Sequence, residues 1–163
     1  MIFVTVGTHE QQFNRLVEYM DKLAKKLDEE IIIQIGFSTY IPKFSKWKKL
    51  FSYKEMSINI EKARIVITHG GPSSFIAPLQ IGKIPIVVPR EKNFKEHINN
   101  HQLDFCHEVV KRQKNIILVE DIKELEIIIR DYDEIVRGMK KGIESNNEKF
   151  CREFADIVDG LFK

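Results

Sequence analysis

A glycine-containing segment between a predicted strand and a predicted helix constrains the fold of this chain more than any other feature. Residues 68–74 have the sequence THGGPSS. They follow residues 64–68, a short β-branched run that is typical of a buried parallel strand. They precede residues 75–82, a helical stretch that ends at a glycine. Such a loop presents backbone N–H groups and a helix N-terminus to an anion, which indicates a phosphate-bearing ligand.

The alternative interpretation of the same residues is a tight turn that binds nothing. Pro72 suits the first helical position, and Ser73 or Ser74 would then cap the helix. Gly70 and Gly71 permit a positive φ and a close approach of the backbone under either interpretation. The segment alone leaves the two interpretations balanced, and the motifs that follow it favour the ligand site.

Composition predicts one globular domain. The 163 residues are 43% hydrophobic and 31% charged, which is enough to build a substantial core. A net charge of +2 gives no field that would attract nucleic acid. Cys106 and Cys151 lack metal-type spacing and are expected to be reduced thiols in a cytosolic protein. We expect no membrane span and no signal peptide, because a strand opens the chain and no apolar run approaches about 20 residues.

Strands and helices alternate along the chain, which predicts βαβ units and a parallel sheet. The predicted strands are residues 2–6, 30–35, 64–68, 85–88 and 115–119, with a further short strand near 50–53. The predicted helices are residues 13–27, 54–62, 72–81, 94–111, a helix capped by Asp121, and a C-terminal helix at about 143–162.

Right-handed crossovers between these elements give one α/β domain over residues 1–163, with a doubly wound, Rossmann-like parallel sheet. Ligands of such folds bind at the carboxyl ends of the strands. Gly7, Gly36, residues 68–74 and residues 89–92 fall there.

Several motifs in a fixed order resemble the C-terminal, donor-binding domain of family 28 glycosyltransferases, which have the GT-B fold. These motifs are residues 69–74 (HGGPSS), residues 82–90 (GKIPIVVPR), and residues 96–102 (EHINNHQ). The opening residues 3–11 (FVTVGTHEQ) are similar to the freestanding version of that domain. That version is the catalytic subunit of two-part glycosyltransferases. In eukaryotes these enzymes act on a dolichyl-diphosphate sugar, and in bacterial capsule and exopolysaccharide assembly they act on undecaprenyl-diphosphate sugars.

The resemblance implies a UDP-sugar-dependent, inverting glycosyltransferase that transfers a hexose (galactose, GlcNAc or glucuronic acid). The acceptor would be a lipid-diphosphate-linked saccharide. A membrane-anchored partner subunit would bind this acceptor and would hold the chain, otherwise cytoplasmic, at the inner face of the membrane. The resemblance implies neither a cofactor nor a metal ion, and no nucleic-acid partner is expected.

The resemblance also implies roles for individual residues. The residues expected to bind the donor diphosphate are Gly7, Thr8, His69, Gly70, Gly71, Ser73 and Ser74. The residues expected to bind the sugar from one shared helix are Glu96, His97, Asn100, His101 and Gln102. His97 and His101 also have a spacing that suits zinc if a third ligand joins them, and a solvated polar face is a further alternative. His9 is a candidate catalytic residue over the reacting sugar, or else a surface histidine at a helix start.

Three features have more than one interpretation. The family often has an acidic residue at the position of Ala77, which would bind the ribose hydroxyls, and Gln80 is a candidate to replace it. The alternative function is therefore a non-catalytic nucleotide-binding or interaction module. Arg90 is either a group that stabilises the leaving UDP or a surface arginine at a strand end. The aromatic and basic segment 37–52 faces either the core or a partner surface.

The C-terminal helix has an apolar stripe that suggests a surface for a partner subunit. Its members are Phe150, Phe154, Ile157, Val158 and Leu161, followed by Phe162. The alternative is that this stripe packs on the chain's own sheet.

Overall fold

Six strands form one sheet in the computed structural model, which describes residues 1–143 and 147–161. The strands are β1 (Ile2–Thr5), β2 (Ile31–Gln34), β3 (Lys46–Lys48), β4 (Ile65–His69), β5 (Ile86–Val88) and β6 (Ile117–Leu118). Their spatial order is β3-β2-β1-β4-β5-β6, and every neighbouring pair is parallel. This order confirms the predicted doubly wound, Rossmann-like sheet, whose winding reverses between β1 and β4.

Helices cover both faces of this sheet. The helices of the chain are α1 (Asn14–Leu23), α2 (Tyr53–Lys62), α3 (Pro72–Gln80), α4 (His101–Gln113), α5 (Leu125–Arg130), α6 (Tyr132–Ile135) and α7 (Asn147–Leu161). Helix α7 has no buried residue and is not part of this cover. Asp121 caps the turn before α5 as predicted, because its Oδ1 accepts a hydrogen bond from the backbone N–H of Lys123. Among the described residues, we find no helix that combines the length and apolarity needed to cross a bilayer.

The two faces of the sheet bury alternate residues of each strand, as the two-residue period of a strand requires. Ile2 and Val4 pack with α1, whose apolar residues lie three and four positions apart. Phe3 lies on the opposite face, against Ile60 of α2. The chain therefore has apolar clusters on both sides of the sheet, and the polar loops are left at the strand ends.

The predicted strand near residues 50–53 is wrong, because β3 lies at Lys46–Lys48. A capping box at Ser52 begins α2 immediately afterwards: the Ser52 hydroxyl accepts a bond from the N–H of Glu55, and the Glu55 carboxylate accepts one from the N–H of Ser52. Phe51 still packs edge-on against Phe3, with ring centroids 5.8 Å apart. Its apolar character therefore reflects core packing rather than a strand.

The predicted helix 94–111 is also wrong at its start. A single helical turn over Lys92–Phe94 ends at Lys95, whose φ of 56° is left-handed and stops the helix. Helix α4 begins only at His101, so Glu96, His97 and Asn100 lie in the preceding loop.

The aromatic residues of segment 37–52 associate with lysines of the same protein. Lys25 lies 4.0 Å from the ring centroid of Phe44, and Lys49 lies 4.8 Å from that of Phe37. Asp21 fixes this segment, because its carboxylate accepts hydrogen bonds from the backbone N–H groups of residues 43–45. These hydrogen bonds, opposed by burial, hold the pKa of Asp21 below its usual value.

Candidate functional site

A pocket lies at the carboxyl ends of β1 and β4, where the winding of the sheet reverses. Its volume is about 420 Å³. We call it the loop pocket, and its lining residues are Thr5, Gly7, Thr8, His9, Gln34, Phe51, Tyr53, Met56, His69, Ser73, Ser74 and Gln102. Most of the predicted diphosphate residues, together with His9 and Gln102, therefore meet at one site.

Two glycines leave space for the His69 ring at the base of this pocket. A Cβ on Gly7 would lie 2.3 Å from Nε2 of His69, and a Cβ on Gly71 would lie 2.2 Å from its Cε1. Gly70 has a similar role beside Gln102, whose Cβ would lie 3.0 Å from an added Cβ. These glycines therefore allow a close approach of the protein's own His69 and Gln102 side chains. The positive φ occurs at Gly7 (76°) and not at Gly70 or Gly71.

Hydrogen bonds hold the His69 ring between the loop and α3. Its Nδ1 accepts a bond from the backbone N–H of Gly71 at 3.0 Å. Its Nε2 lies 2.9 Å from Oγ of Ser74. His69 therefore connects the last residue of β4 with the first turn of α3.

The His69 imidazole is neutral at physiological pH. Burial lowers its pKa to about 4, and the positive charge of Arg90 lowers it further. His9 and His97 act in the same direction, and a hydrogen bond with Gln102 opposes the shift.

The first turn of α3 differs from the predicted serine cap. Pro72 takes the first helical position as expected, which makes Gly71 the N-cap, and this cap has no side-chain hydrogen bond. The predicted serine cap is wrong because the helix begins before both serines, with Gly71 as its N-cap. A side chain on Gly71 would collide with the His69 ring. Ser73 and Ser74 instead sit inside the first turn and line the pocket.

Polar residues that close β1 and β2 form the floor of the pocket, and sequence reasoning missed them. Thr5 Oγ1 accepts hydrogen bonds from the N–H of Gly7 at 3.2 Å and from Nε2 of Gln34 at 3.1 Å. Gln34 Oε1 accepts a bond from the N–H of Phe51 at 2.9 Å. The available signal was a polar residue at the end of an otherwise apolar strand.

Arg90 is fully buried, so the surface-arginine alternative is wrong. Its guanidinium donates to the backbone carbonyls of Val6 at 2.8 Å, Gln11 at 3.0 Å, Gln12 at 2.9 Å and Glu96 at 3.2 Å. Burial lowers the pKa of Arg90 to about 10, and the group remains charged at neutral pH. Arg90 therefore holds the loop after β1 and the loop before α4 together.

Glu96 lies apart from the pocket that it was expected to line. Its side chain is fully buried and forms a two-fold hydrogen-bonded ion pair with Arg15, with both N···O distances 3.0 Å. It also accepts a bond from the N–H of Glu91 at 3.1 Å. The carboxylate is thus engaged in holding its own loop.

The remaining predicted sugar-binding residues divide into two groups. Gln102 lines the pocket, and its Oε1 also accepts a bond from the N–H of Arg90 at 3.1 Å. Asn100 is turned toward its own loop, where its Oδ1 accepts a bond from the N–H of Lys92 at 2.8 Å. Four of the five predicted residues are therefore outside the pocket wall, and only Gln102 is part of it.

Three histidine rings lie against one another beside the loop pocket, one pair tilted and the other edge-on. The His97 ring centroid is 4.8 Å from that of His9 and 4.4 Å from that of His101. Nδ1 of His9 and Nδ1 of His97 each accept a bond from a nearby backbone N–H, so the Nε2 atoms are left for other partners. Within residues 1–143 and 147–161, no three histidine, cysteine or acidic side chains have an arrangement that would hold a metal ion.

A larger groove between α2 and α3 adjoins the loop pocket. Its volume is about 790 Å³, and it shares Tyr53, Met56, Ser73 and Ser74 with the pocket. Ala77 and Gln80 line it as well, together with several apolar residues of both helices. The site therefore has a polar end with helix N–H groups and an adjoining apolar channel.

Comparison with known proteins identifies relatives over most of the chain. The model of the glycosyltransferase family 28 C-terminal domain matches residues 1–161. The human protein "UDP-N-acetylglucosamine transferase subunit ALG13" is 33% identical over 121 residues, and its mouse counterpart is 29% identical over 120 residues. These alignments cover 68% and 67% of this chain but only 10% of the length of either relative.

Solved structures agree with the fold. The crystal structure of the glycotransferase of kitacinnamycin superposes with a TM-score of 0.52 at 15% identity. The superposition covers 80% of this chain and 34% of that one. At this level of identity the likeness supports the fold alone.

Proposed function

Because the chain belongs to the glycosyltransferase family 28 C-terminal domain family, we propose that it is the donor-binding, catalytic subunit of a two-part glycosyltransferase. The donor is a UDP-sugar, and the transferred group is a hexose: galactose, GlcNAc or glucuronic acid. The acceptor is a lipid-diphosphate-linked saccharide in capsule or exopolysaccharide synthesis. The observation that carries the proposal is the loop pocket, where two glycine loops and the N-terminus of α3 meet.

The two ends of the site suit the two ends of the nucleotide. The diphosphate lies at the first turn of α3, where the helix dipole favours negative charge by about 0.3–2 kcal/mol and the hydroxyls of Ser73 and Ser74 line the pocket. The nucleoside lies in the apolar groove between α2 and α3. The sugar extends toward Gln102 and the three neighbouring histidine rings, where His97 and His101 are proposed to contact it.

The proposed chemistry is an inverting displacement. An acceptor hydroxyl attacks the anomeric carbon, the bond from that carbon to the UDP oxygen breaks, and UDP leaves. This chain stabilises the negative charge that develops on the diphosphate. His9 lines the pocket with its Nδ1 already bonded, so its Nε2 is the atom available to the departing phosphate or the acceptor. We assign the general base to the partner subunit, which binds the acceptor.

Removal of both loop hydroxyls is expected to weaken nucleotide binding. The S73A/S74A variant should lose UDP affinity by about tenfold or more, because a hydrogen bond to a charged group contributes about 1.5–3 kcal/mol. Isothermal titration calorimetry with UDP measures this. Ser45→Ala is the matched control, since its hydroxyl is buried without a hydrogen-bond partner and lies outside the pocket. Unchanged UDP affinity in the double variant would remove the loop from the site.

Transfer activity is expected to survive EDTA, because a helix N-terminus and hydroxyl groups can stabilise the leaving UDP without a metal ion. The sequence has one Asp-x-Asp triplet, the spacing that metal-dependent sugar transferases use, at residues 131–133. Asp133 forms an ion pair with Arg64, which precedes the first residue of β4. The loop pocket lies at the last residue of β4, so the triplet is at the other end of that strand. Complete loss of transfer in EDTA that Mg²⁺ restores would contradict this expectation.

A partner subunit is part of the proposal because α7 exposes an apolar stripe. Phe150, Phe154 and Ile157 are 60%, 56% and 62% exposed, so the alternative of packing on the chain's own sheet is wrong for these residues. Phe150 and Phe154 stack with ring centroids 6.0 Å apart. Phe162, expected to extend the stripe, lies outside the described residues. We propose that the stripe docks a membrane-anchored subunit, which places the chain peripherally at the cytoplasmic face of the membrane.

The isolated chain is expected to transfer sugar poorly and to gain activity with that subunit, because one Rossmann-like domain supplies only the donor half of a GT-B site. Truncation after Glu148 should leave the fold intact, since α7 is exposed, and should abolish co-purification with the partner. Circular dichroism and pull-down measure the two outcomes. If the folded truncated chain still binds the partner, α7 is not the docking element. Full turnover by the intact chain alone would contradict the two-subunit proposal.

Ala77 favours a second candidate function, a nucleotide-binding or interaction module without transfer. Ala77 lines the groove where the family often has an acidic residue for the ribose, and Gln80 is the nearby polar side chain on the same helix. The two candidates differ in one measurement. UDP binding without sugar transfer, even with the partner present, would favour the module.

A further inference from the structure

We propose that His69 is a positioning residue that orients the Ser74 hydroxyl as a hydrogen-bond donor toward the diphosphate. The inference rests on the proposed UDP site. It goes beyond that proposal because it assigns His69 a role that acts through Ser74 rather than through direct contact with a phosphate.

The hydrogen bonds of His69 determine which ring nitrogen carries its proton. Nδ1 accepts a bond from the backbone N–H of Gly71, so Nδ1 is unprotonated. A neutral imidazole has one N–H, which must then be on Nε2. Nε2 lies 2.9 Å from Oγ of Ser74, so the ring donates to that oxygen. The hydrogen bond with Gln102 raises the pKa of His69, so Gln102 also accepts from the ring and shares the same N–H.

This arrangement sets the direction of the Ser74 hydroxyl. Because Oγ accepts from His69, the hydroxyl hydrogen of Ser74 is available for an acceptor in the pocket that Ser74 lines. In the opposite tautomer Ser74 would donate to the ring and present only lone pairs to the pocket. Those lone pairs would repel an anion, so the tautomer decides whether Ser74 attracts or repels a phosphate.

The surroundings of the ring stabilise the neutral, Nε2-protonated form. Gly7 and Gly71 enclose it, and burial and the charge of Arg90 disfavour a second proton. The other titratable groups that face it, His9 and His97, act in the same direction.

Thr5, on the other side of the pocket, is oriented in the same way. Its Oγ1 accepts two hydrogen bonds, from the N–H of Gly7 and from the amide of Gln34, so its own hydrogen is also available to a ligand. Two hydroxyls, Thr5 at the end of β1 and Ser74 in the first turn of α3, thus accept hydrogen bonds from protein donors and keep their own hydrogens for a ligand. A pocket with this arrangement selects an anionic ligand.

A double-mutant cycle with UDP as the probe tests the inference. Ser74→Ala and His69→Asn should each lower UDP affinity by about tenfold, because asparagine can accept from Gly71 but cannot reach Ser74. The H69N/S74A double variant should bind within about twofold of either single variant, since both changes remove one interaction. Calorimetry measures the affinities, and His107→Asn, an exposed histidine on α4, is the matched control.

His69→Gln distinguishes orientation of Ser74 from simple filling of space. The glutamine amide nitrogen can take the place of Nε2 and donate to Ser74, so this variant should bind UDP more tightly than His69→Asn. Equal weakening by glutamine and asparagine would contradict the inference. The inference would also be overturned if the affinity losses of the two single variants multiplied in the double variant, or if His69→Asn lost no UDP affinity. In either case a loss of affinity in Ser74→Ala would still support the UDP site. No loss in Ser74→Ala would overturn the orientation of Ser74 toward the ligand and count against the site itself.

The wild-type protein provides a test that does not depend on the folding of variants. Nitrogen-15 NMR of the imidazole should show His69 protonated at Nε2 and unprotonated at Nδ1, with no titration between about pH 6 and pH 8, because burial lowers its pKa to about 4. A resonance protonated at Nδ1, or one that titrates in this range, would overturn the proposal.

Discussion

Replacement of Gly7 by alanine is expected to destabilise the protein by about 3 kcal/mol and to weaken UDP binding by more than tenfold. The backbone φ at Gly7 is 76°, where an L-residue costs about 1–2 kcal/mol. The new methyl group would also lie 2.3 Å from Nε2 of His69, and such overpacking costs about 1–3 kcal/mol. The ring must move away, and Ser74 then loses its hydrogen-bond donor. Urea unfolding and UDP calorimetry measure the two effects.

Gly82→Ala is a matched control for this experiment. Gly82 has nearly the same φ, 77°, but an added Cβ would have no heavy atom within 4 Å. It should therefore cost only the backbone strain, about 1 kcal/mol, and leave UDP affinity unchanged. If Gly7→Ala and Gly82→Ala lost the same free energy of unfolding, and Gly7→Ala kept its UDP affinity, the His69 ring would be able to move without consequence and the expectation would be wrong.

Arg90→Met is expected to lower the free energy of unfolding by about 3–5 kcal/mol. Methionine fills a similar length of side chain but leaves four carbonyl groups without their charged donor, those of Val6 and Glu96 in buried hydrogen bonds and those of Gln11 and Gln12 in part-buried ones. Each unsatisfied buried group costs about 1–3 kcal/mol, reduced where the loops relax. For a protein of this size the melting temperature should fall by about 6–12 °C or more. UDP binding should weaken as well, because the loop that contains Gly7 and His9 loses its anchor.

Arg64→Met separates the loss of buried hydrogen bonds from the loss of an arginine charge. Arg64 is partly exposed and pairs with Glu29 and Asp133 at the surface. Exposed ion pairs contribute about 0–1 kcal/mol, so this variant should melt close to the wild type. If Arg90→Met were equally mild, the buried guanidinium would not be what holds the two loops together.

The regular elements were predictable because their signals are local. The two-residue period of the strands and the three-to-four-residue period of α1 require only neighbouring residues. The same holds for Pro72 at the start of α3 and for the capping residue Asp121. Errors occurred where two local signals competed, as at residues 50–53, where aromatic residues suggested a strand but the Ser52 capping box began a helix.

The roles of the polar residues were predictable only in part. Several residues expected at the site do line the loop pocket: Gly7, Thr8, His9, His69, Ser73, Ser74 and Gln102. Gly70 and Gly71 were also expected there but do not line it. Glu96 was expected there too, but Arg15 draws its carboxylate away from the pocket. Nothing near Glu96 in the sequence indicates this pair, because its partner lies 81 positions earlier in the chain.

The sequence by itself determined the doubly wound parallel sheet and the convergence of two glycine loops at one edge of that sheet, whereas the strand order that reverses beside β1 came from the structure. The first two features follow from periodicity and from the order of elements. Only the tertiary structure decided that Arg90 is buried, that Gly7 rather than Gly71 has the positive φ, and that the His69 ring is hydrogen-bonded to Ser74. The physical reason is that burial and hydrogen-bond direction depend on groups up to 84 residues apart in the chain, which folding alone brings into contact.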